Sequence, residues 1–188
     1  YFNNLTFGGI GQTWQEPNST WPLEAGKVLK QENTSEYTYF SGWAAQAYTQ
    51  DRPHDQFPTQ TQTVATDYVR KFVNLSPDIF FVYDRATLLN PSLPKEWHLH
   101  SQKPITINGR TYKFDNGTHQ LIGQSLLPAS GVSVLSVPQN PDGGATTSYR
   151  LDVVTNRNQA TDTMLNVLQV APVGAGGIPV SESIVAGS

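Results

Sequence analysis

The chain has 188 residues, of which 37% are hydrophobic and only 14% charged, with a formal net charge of −3. That length fits one domain with a sizeable core, and the twelve scattered Lys and Arg form no basic patch for a nucleic-acid partner. No apolar run approaches the length of a membrane span, and the absence of cysteine excludes a disulfide framework and a thiolate nucleophile.

Thirteen Pro and fifteen Gly punctuate the chain, and its apolar residues recur with period two or in short runs. In chain order the pattern predicts strands over Asn4–Phe7, Lys27–Gln31, Tyr37–Trp43, Asp67–Leu75, Ile79–Asp84 and Glu96–Ser101. Six more follow over Ile105–Asn108, Arg110–Phe114, His119–Leu127, Val132–Val137, Ser148–Val154 and Thr163–Val170. Many short strands joined by turn residues predict an all-β, antiparallel β-sandwich with under about a tenth of its residues in helix.

Asn108-Gly109 predicts a type I′ hairpin turn, with both central residues at positive φ. Asp115-Asn116-Gly117 closes the next hairpin, Leu75–Asp78 separates two strong strands, and Pro138–Gly144 reads as an exposed loop. Ile79–Tyr83 is apolar on both faces, which predicts a central strand covered above and below. Asp84 and Arg85 at its end read as a strand-end ion pair or turn cap. Residues 1–170 form the expected domain. Residues 171–188 are a Gly/Pro-rich tail with one weak strand, Ser183–Ala186, and the domain is expected to continue past Ser188.

Five N-x-[ST] sequons occur, at Asn4, Asn18, Asn33, Asn74 and Asn116. Chance in a Ser- and Thr-rich chain is one reading and glycosylation is the other. With low charge and many uncharged polar residues, both lean towards a secreted, extracellular protein.

Residues 95–101, KEWHLHS, hold the candidate chemistry. In a strand, His98 and His100 share one face while Trp97 and Leu99 share the other. Two adjacent imidazoles could bind a metal, work on a proton or face water. Trp97 is expected in the core. Trp14 and Trp21, flanking the loop Gln15–Thr20, are the better platforms for a sugar ring, and packing that loop down is the equal alternative. His54 and His119 read as solvated loop and hairpin residues. No Gly-rich phosphate loop, Ser-His-Asp order or paired carboxylates emerge, and Gly174-Ala-Gly-Gly177 opens no helix.

Four stretches in order resemble the C-terminal, supersandwich-like β-domain of the heparinase II/III-like polysaccharide lyases. They are Asn3-Asn-Leu-Thr-Phe-Gly-Gly-Ile-Gly-Gln12; Ala44-Ala-Gln-Ala-Tyr48 with Tyr68-Val-Arg-Lys71 and Pro77-Asp-Ile-Phe-Phe-Val-Tyr-Asp84; Glu96-Trp-His-Leu-His100; and Leu126-Leu-Pro128 with Thr163-Met-Leu-Asn-Val-Leu168. They cover about residues 1–170.

The resemblance implies a domain that lines a uronate-polysaccharide cleft, in enzymes that cleave by β-elimination. Such cleavage needs a base for the C5 proton, donors to neutralise the carboxylate, and an acid for the departing O4. In the family most of that apparatus sits on a helical toroid, a partner domain for which this chain carries no helices. Phe2 stands where the family has a histidine, and it cannot move a proton. Some relatives bind zinc in this domain, but His98 and His100 supply at most two of the three or four ligands needed. No metal and no cofactor are therefore expected. His98 and His100 mark the family strand, one facing a cleft and the other making a structural hydrogen bond.

On this reading the isolated chain is inactive. If a base exists it is sought among Tyr48, His98 and His100, with Asn3, Gln12, Trp14, Trp21 and His98 contacting carbohydrate. The alternative is a non-enzymatic extracellular protein built from the same domain, binding glycan or assembling with itself through edge strands.

Overall fold

A computed structural model describes residues 4–12, 26–50, 62–75, 77–139 and 148–176. Of Thr49, Gln50 and Gln62 only the backbone is described. Asn3, Trp14, Trp21, Asn18, His54 and the Ser183–Ala186 segment lie outside these residues.

Fourteen strands are present among the described residues: β1 (Leu5–Phe7), β2 (Lys27–Asn33), β3 (Tyr37–Trp43), β4 (Thr49–Gln50), β5 (Gln62–Thr63), β6 (Ala65–Leu75), β7 (Ile79–Leu88), β8 (Lys95–Ser101), β9 (Thr106–Asn108), β10 (Thr111–Asp115), β11 (His119–Leu127), β12 (Val132–Gln139), β13 (Ser148–Thr155) and β14 (Thr161–Pro172). The only helical segment among them is a 3₁₀ turn at Ala45–Ala47. No helix among the described residues is long and apolar enough to cross a membrane.

An eight-stranded sheet runs β2-β3-β6-β7-β14-β11-β10-β9 and a four-stranded sheet runs β1-β8-β13-β12, with all neighbours antiparallel. The expected antiparallel sandwich is the observed one. The two facing surfaces meet in a core built from Leu5, Phe7, Trp97, Leu151 and Val153 on the smaller sheet. Tyr68, Val82, Met164, Leu168 and Tyr112 answer from the larger. Trp97 is buried, as the alternation of KEWHLHS requires.

Several local expectations shift. The hairpin at Asn108 forms, but Asn108 stays in β9 opposite Thr111 and the loop is Gly109-Arg110. Only Gly109 has positive φ, at +60°, so the turn has the type II′ pattern rather than I′. A two-residue hairpin with two positive φ values occurs instead at Gly8 (+60°) and Gly9 (+78°), closed by Phe7–Ile10 hydrogen bonds of 3.0 and 3.1 Å. The Asp115–Gly117 turn forms as expected, with Asn116 Oδ1 accepting from the Thr118 and His119 amides.

β7 is central in the sheet, but Ile79, Phe80, Phe81 and Tyr83 are only half-buried, so the strand is not covered on both faces. Asp84 and Arg85 do not pair with each other. Adjacent residues in a strand point to opposite faces: Asp84 meets Arg70 across β6 at 2.7 Å, and Arg85 meets Asp67 on the other face at 2.8 Å. β12 takes in Pro138 and Gln139, the start of the expected loop. β14 runs two residues past Val170, and Gln120 Nε2 ties Pro172 and Ala175 through their carbonyls. Between the sheets, the fully buried Lys95 ammonium lies 3.2 Å from Asp162.

Candidate functional site

β1 divides the candidate residues. By alternation Leu5 and Phe7 point into the core, while Thr6 points away from it. Tyr48 lies on the core side, its ring 4.7 Å from Phe7 and 5.2 Å from Tyr68, and its hydroxyl donates to the Leu5 carbonyl at 2.9 Å. Tyr68 in turn donates to Asp84 Oδ1 at 2.9 Å, and Arg70 grips the same carboxylate through Nε and Nη2 at 2.7 and 3.0 Å. Burial pushes both phenols well up, helped at Tyr68 by the Asp84 charge, so each keeps its proton at neutral pH. Exposed Gln12 also hydrogen-bonds the Tyr48 hydroxyl.

On the outer face of the smaller sheet a second cluster forms. Cross-strand register places His98 opposite Asp152, His100 opposite Arg150 and Thr6 opposite Glu96. The buried His98 imidazole holds Asp152 Oδ1 through Nδ1 at 2.7 Å and meets Thr6 Oγ1 through Nε2 at 2.8 Å. Thr6 Oγ1 donates to Glu96 Oε2, which also accepts the Gly9 amide at 3.1 Å. Arg150 closes the far end, donating to Asp152 at 2.6 and 2.8 Å.

A threonine hydroxyl has one proton. Given to Glu96, it leaves the Thr6 oxygen to meet His98 Nε2 while Asp152 holds Nδ1, so the imidazole lies between two carboxylates, one direct and one through Thr6. Burial pushes the Asp152 carboxyl up, but its bonds from His98 and Arg150 outweigh this and hold it below its ordinary range. Burial, and then the Arg150 and His98 charges, lower the pKa of His100 beside them.

The line Asp152–His98–Thr6 has the components of a nucleophile relay, which no order of residues in the chain announced. Its electrostatics are wrong for attack. The Glu96 carboxylate takes the hydroxyl proton and would oppose negative charge developing on the Thr6 oxygen. What the cluster can do is present a fixed donor–acceptor surface around Glu96, His98 and His100. Among the described residues no three His, Asp or Glu come together to hold a metal ion.

The structure thus brings His98 and His100 onto one face and places Tyr48 beneath β1, away from them. Thr6, Glu96, Arg150 and Asp152 are partners that sequence reasoning missed. The i, i+2 pair Arg150–Asp152 in an alternating strand was their one visible signal. Of the described sequons, Asn33 and Asn116 are exposed and Asn4 and Asn74 half-buried.

No family model and no curated protein sequence matches this chain. Solved structures do. The heparan sulfate lyase HepC from Pedobacter heparinus superposes with a TM-score of 0.65 at 12% identity, over 93% of this chain and 24% of that one. A heparinase III described as the BT4657 gene product gives 0.63 at 9%, over 90% and 24%. A further heparinase III gives 0.61 at 14%, over 93% and 24%. The chain shares their fold over about a quarter of their length.

Proposed function

We propose that this chain is the β-sandwich domain of a heparinase II/III-like polysaccharide lyase and lines a uronate-polysaccharide cleft without being catalytic by itself. The observation that carries the reading is the fold likeness: nine-tenths of this chain superposes on lyases four times its length. The Thr6–Glu96–His98–Asp152 cluster is the part of the surface best suited to face the sugar. Its fixed donors and acceptors around His98 and His100 match hydroxyls, and the part-exposed Arg150 guanidinium offers positive charge to a uronate carboxylate. Thr6, by contrast, is no nucleophile, and Tyr48 keeps its proton in the core. Gln12, with Asn3, Trp14 and Trp21, completes the proposed carbohydrate contacts. The protein acts outside the cell, beside a helical domain that supplies the proton transfer.

Two measurements test this. The 188-residue chain incubated with heparan sulfate, alginate or hyaluronan should give no rise in the ultraviolet absorbance of unsaturated uronate. Titration with a uronate oligosaccharide should shift the resonances of Thr6, His98 and His100. A robust absorbance rise, or an oligosaccharide that leaves those three unmoved, rejects the reading.

A self-assembling extracellular protein is the second reading, and edge strand β2 favours it. Val28 and Leu29 are 61% and 49% exposed there, beside amides with no neighbouring strand among the described residues. Concentration-dependent sedimentation, abolished by Val28→Lys, would support it.

A further inference from the structure

The face of the eight-stranded sheet turned away from the core gathers lysines and aromatic rings. Following the register from strand to strand, one row runs Lys27–Trp43–Val69–Arg85 and the next Lys30–Ser41–Lys71–Tyr83–Leu165. A third runs Glu32–Tyr39–Val73–Phe81–Val167–Gln124, and a fourth reaches Lys113 on β10 through Ile79 and Ile122. Directly paired residues in a sheet share a face, so these side chains form one surface, opposite the one that packs on the smaller sheet.

All three cation–π contacts of the described residues lie on it: Lys27 over Trp43 at 5.5 Å, Lys30 over Tyr39 at 5.7 Å and Lys71 over Tyr83 at 5.5 Å. The aromatic rings are half-exposed and the lysines exposed. The surface also has the opposite sign to the chain. It holds Lys27, Lys30, Lys71, Arg85 and Lys113 against Glu32, Asp67 and Asp115, whereas the whole chain is −3. Glu32 and Asp67 are taken up by Lys30 and Arg85. Lys27, Lys71 and Lys113 have no carboxylate within ion-pair distance among the described residues.

We propose that this face binds an anionic polysaccharide, one bearing carboxylate or sulfate groups, at a site separate from the His98 cluster. A pyranose stacking on Tyr83 or Tyr39 displaces the ammonium that covers the ring. The freed lysine then pairs with the sugar's anionic group, so the lost cation–π contact is replaced. A neutral glycan offers no such replacement, and a flexible acidic peptide offers charge without the flat apolar face. The lysines on β2, β6 and β10 stand about 10 and 19 Å apart across the strands, given roughly 4.8 Å per strand, which suits an extended chain with repeating charges. This site deepens the proposed lyase-domain reading, and its test is separable from that one.

The experiment is isothermal titration of the 188-residue chain with size-defined heparin oligosaccharides, with dextran and poly-glutamate as comparisons and circular dichroism to verify folding. Binding to heparin should weaken with salt and exceed poly-glutamate binding about tenfold, with none to dextran. Replacing Lys27, Lys71 and Lys113 by Glu should weaken heparin binding about tenfold or more, and Tyr39→Ala with Tyr83→Ala, which keeps every charge, roughly threefold or more. Lys103→Glu, an equal charge change in the exposed turn after β8, should change it less than about twofold, and Asp152→Ala is run beside it to read any binding at the His98 cluster.

Equal affinity for poly-glutamate would reassign the face to acidic peptides and overturn the proposal. So would indifference to the two tyrosine changes, or absence of heparin binding at millimolar oligosaccharide. Loss of binding in Asp152→Ala alone would locate the glycan at the His98 cluster, leaving the lyase-domain reading intact and this one refuted.

Discussion

Replacing Asp152 by Ala should destabilise the fold and unsettle His98 at the same time. The carboxylate accepts from His98 Nδ1 at 2.7 Å and from Arg150 at 2.6 and 2.8 Å. The His98 and Asp152 side chains are 6% and 10% exposed, so that bond, once lost, is not replaced by bulk water. A buried hydrogen bond to a charged group contributes about 1.5–3 kcal/mol. Arg150 is 31% exposed and can turn to solvent, adding only about 0–1 kcal/mol. The expected loss is therefore about 1.5–4 kcal/mol, read by urea denaturation as a lower midpoint with an unchanged slope.

The loss has a pH signature. The Asp152 pKa is lowered on folding from its ordinary value of 3.8, so its stabilisation is fully present above that value and disappears as pH falls through the lower folded one. The difference between wild type and variant should thus shrink as pH falls from about 4 into stronger acid. Imidazole nitrogen NMR should show the His98 Nδ1 proton exchanging faster in the variant than in the wild type. A destabilisation below about 0.5 kcal/mol, within the range of ordinary surface changes, would refute the hydrogen-bond reasoning.

Three further outcomes follow from the interior. Gly123→Ala would gain about 0.5–1 kcal/mol from backbone propensity alone. The new Cβ, however, would stand 2.1 Å from Tyr112 Cε2 in a fully buried ring. A net loss of about 1–3 kcal/mol is expected in thermal or urea melts, and a rise in stability would contradict it. Asp162→Ala leaves the buried Lys95 ammonium without its carboxylate and should cost about 3–5 kcal/mol, whereas Lys95→Met with Asp162→Leu should recover most of it; equal losses in both would show that charge pairing is not the issue. Tyr48→Phe removes the 2.9 Å bond to Leu5 while keeping the ring packed, so a loss of about 0.5–1.5 kcal/mol is expected in the same melts.

Period two made most of the fold readable from the chain. Tyr37–Trp43 and His119–Leu127 are observed with the bounds that alternation assigned them, and the other ten expected strands are displaced by at most a few residues at their ends. A half-buried strand writes its burial into every second residue, so class and strand positions are local information. The two-residue strands β4 and β5 escaped because so short a stretch contains no period. The turn at Asn108 moved by one residue because cross-strand pairing with Thr111 outweighed the local preference of Asn-Gly. The partners could not be read in this way. Arg70 meets Asp84 because β6 lies beside β7, and His98 meets Asp152 because β13 returns to β8 after more than forty residues. Thr6 joins them only because β1 pairs on the other side of β8. Likewise, the lysines over Trp43, Tyr39 and Tyr83 form one surface only once register has aligned their strands. Alternation tells each residue which face it occupies; which residue it faces is decided by strand order, and strand order belongs to the tertiary structure.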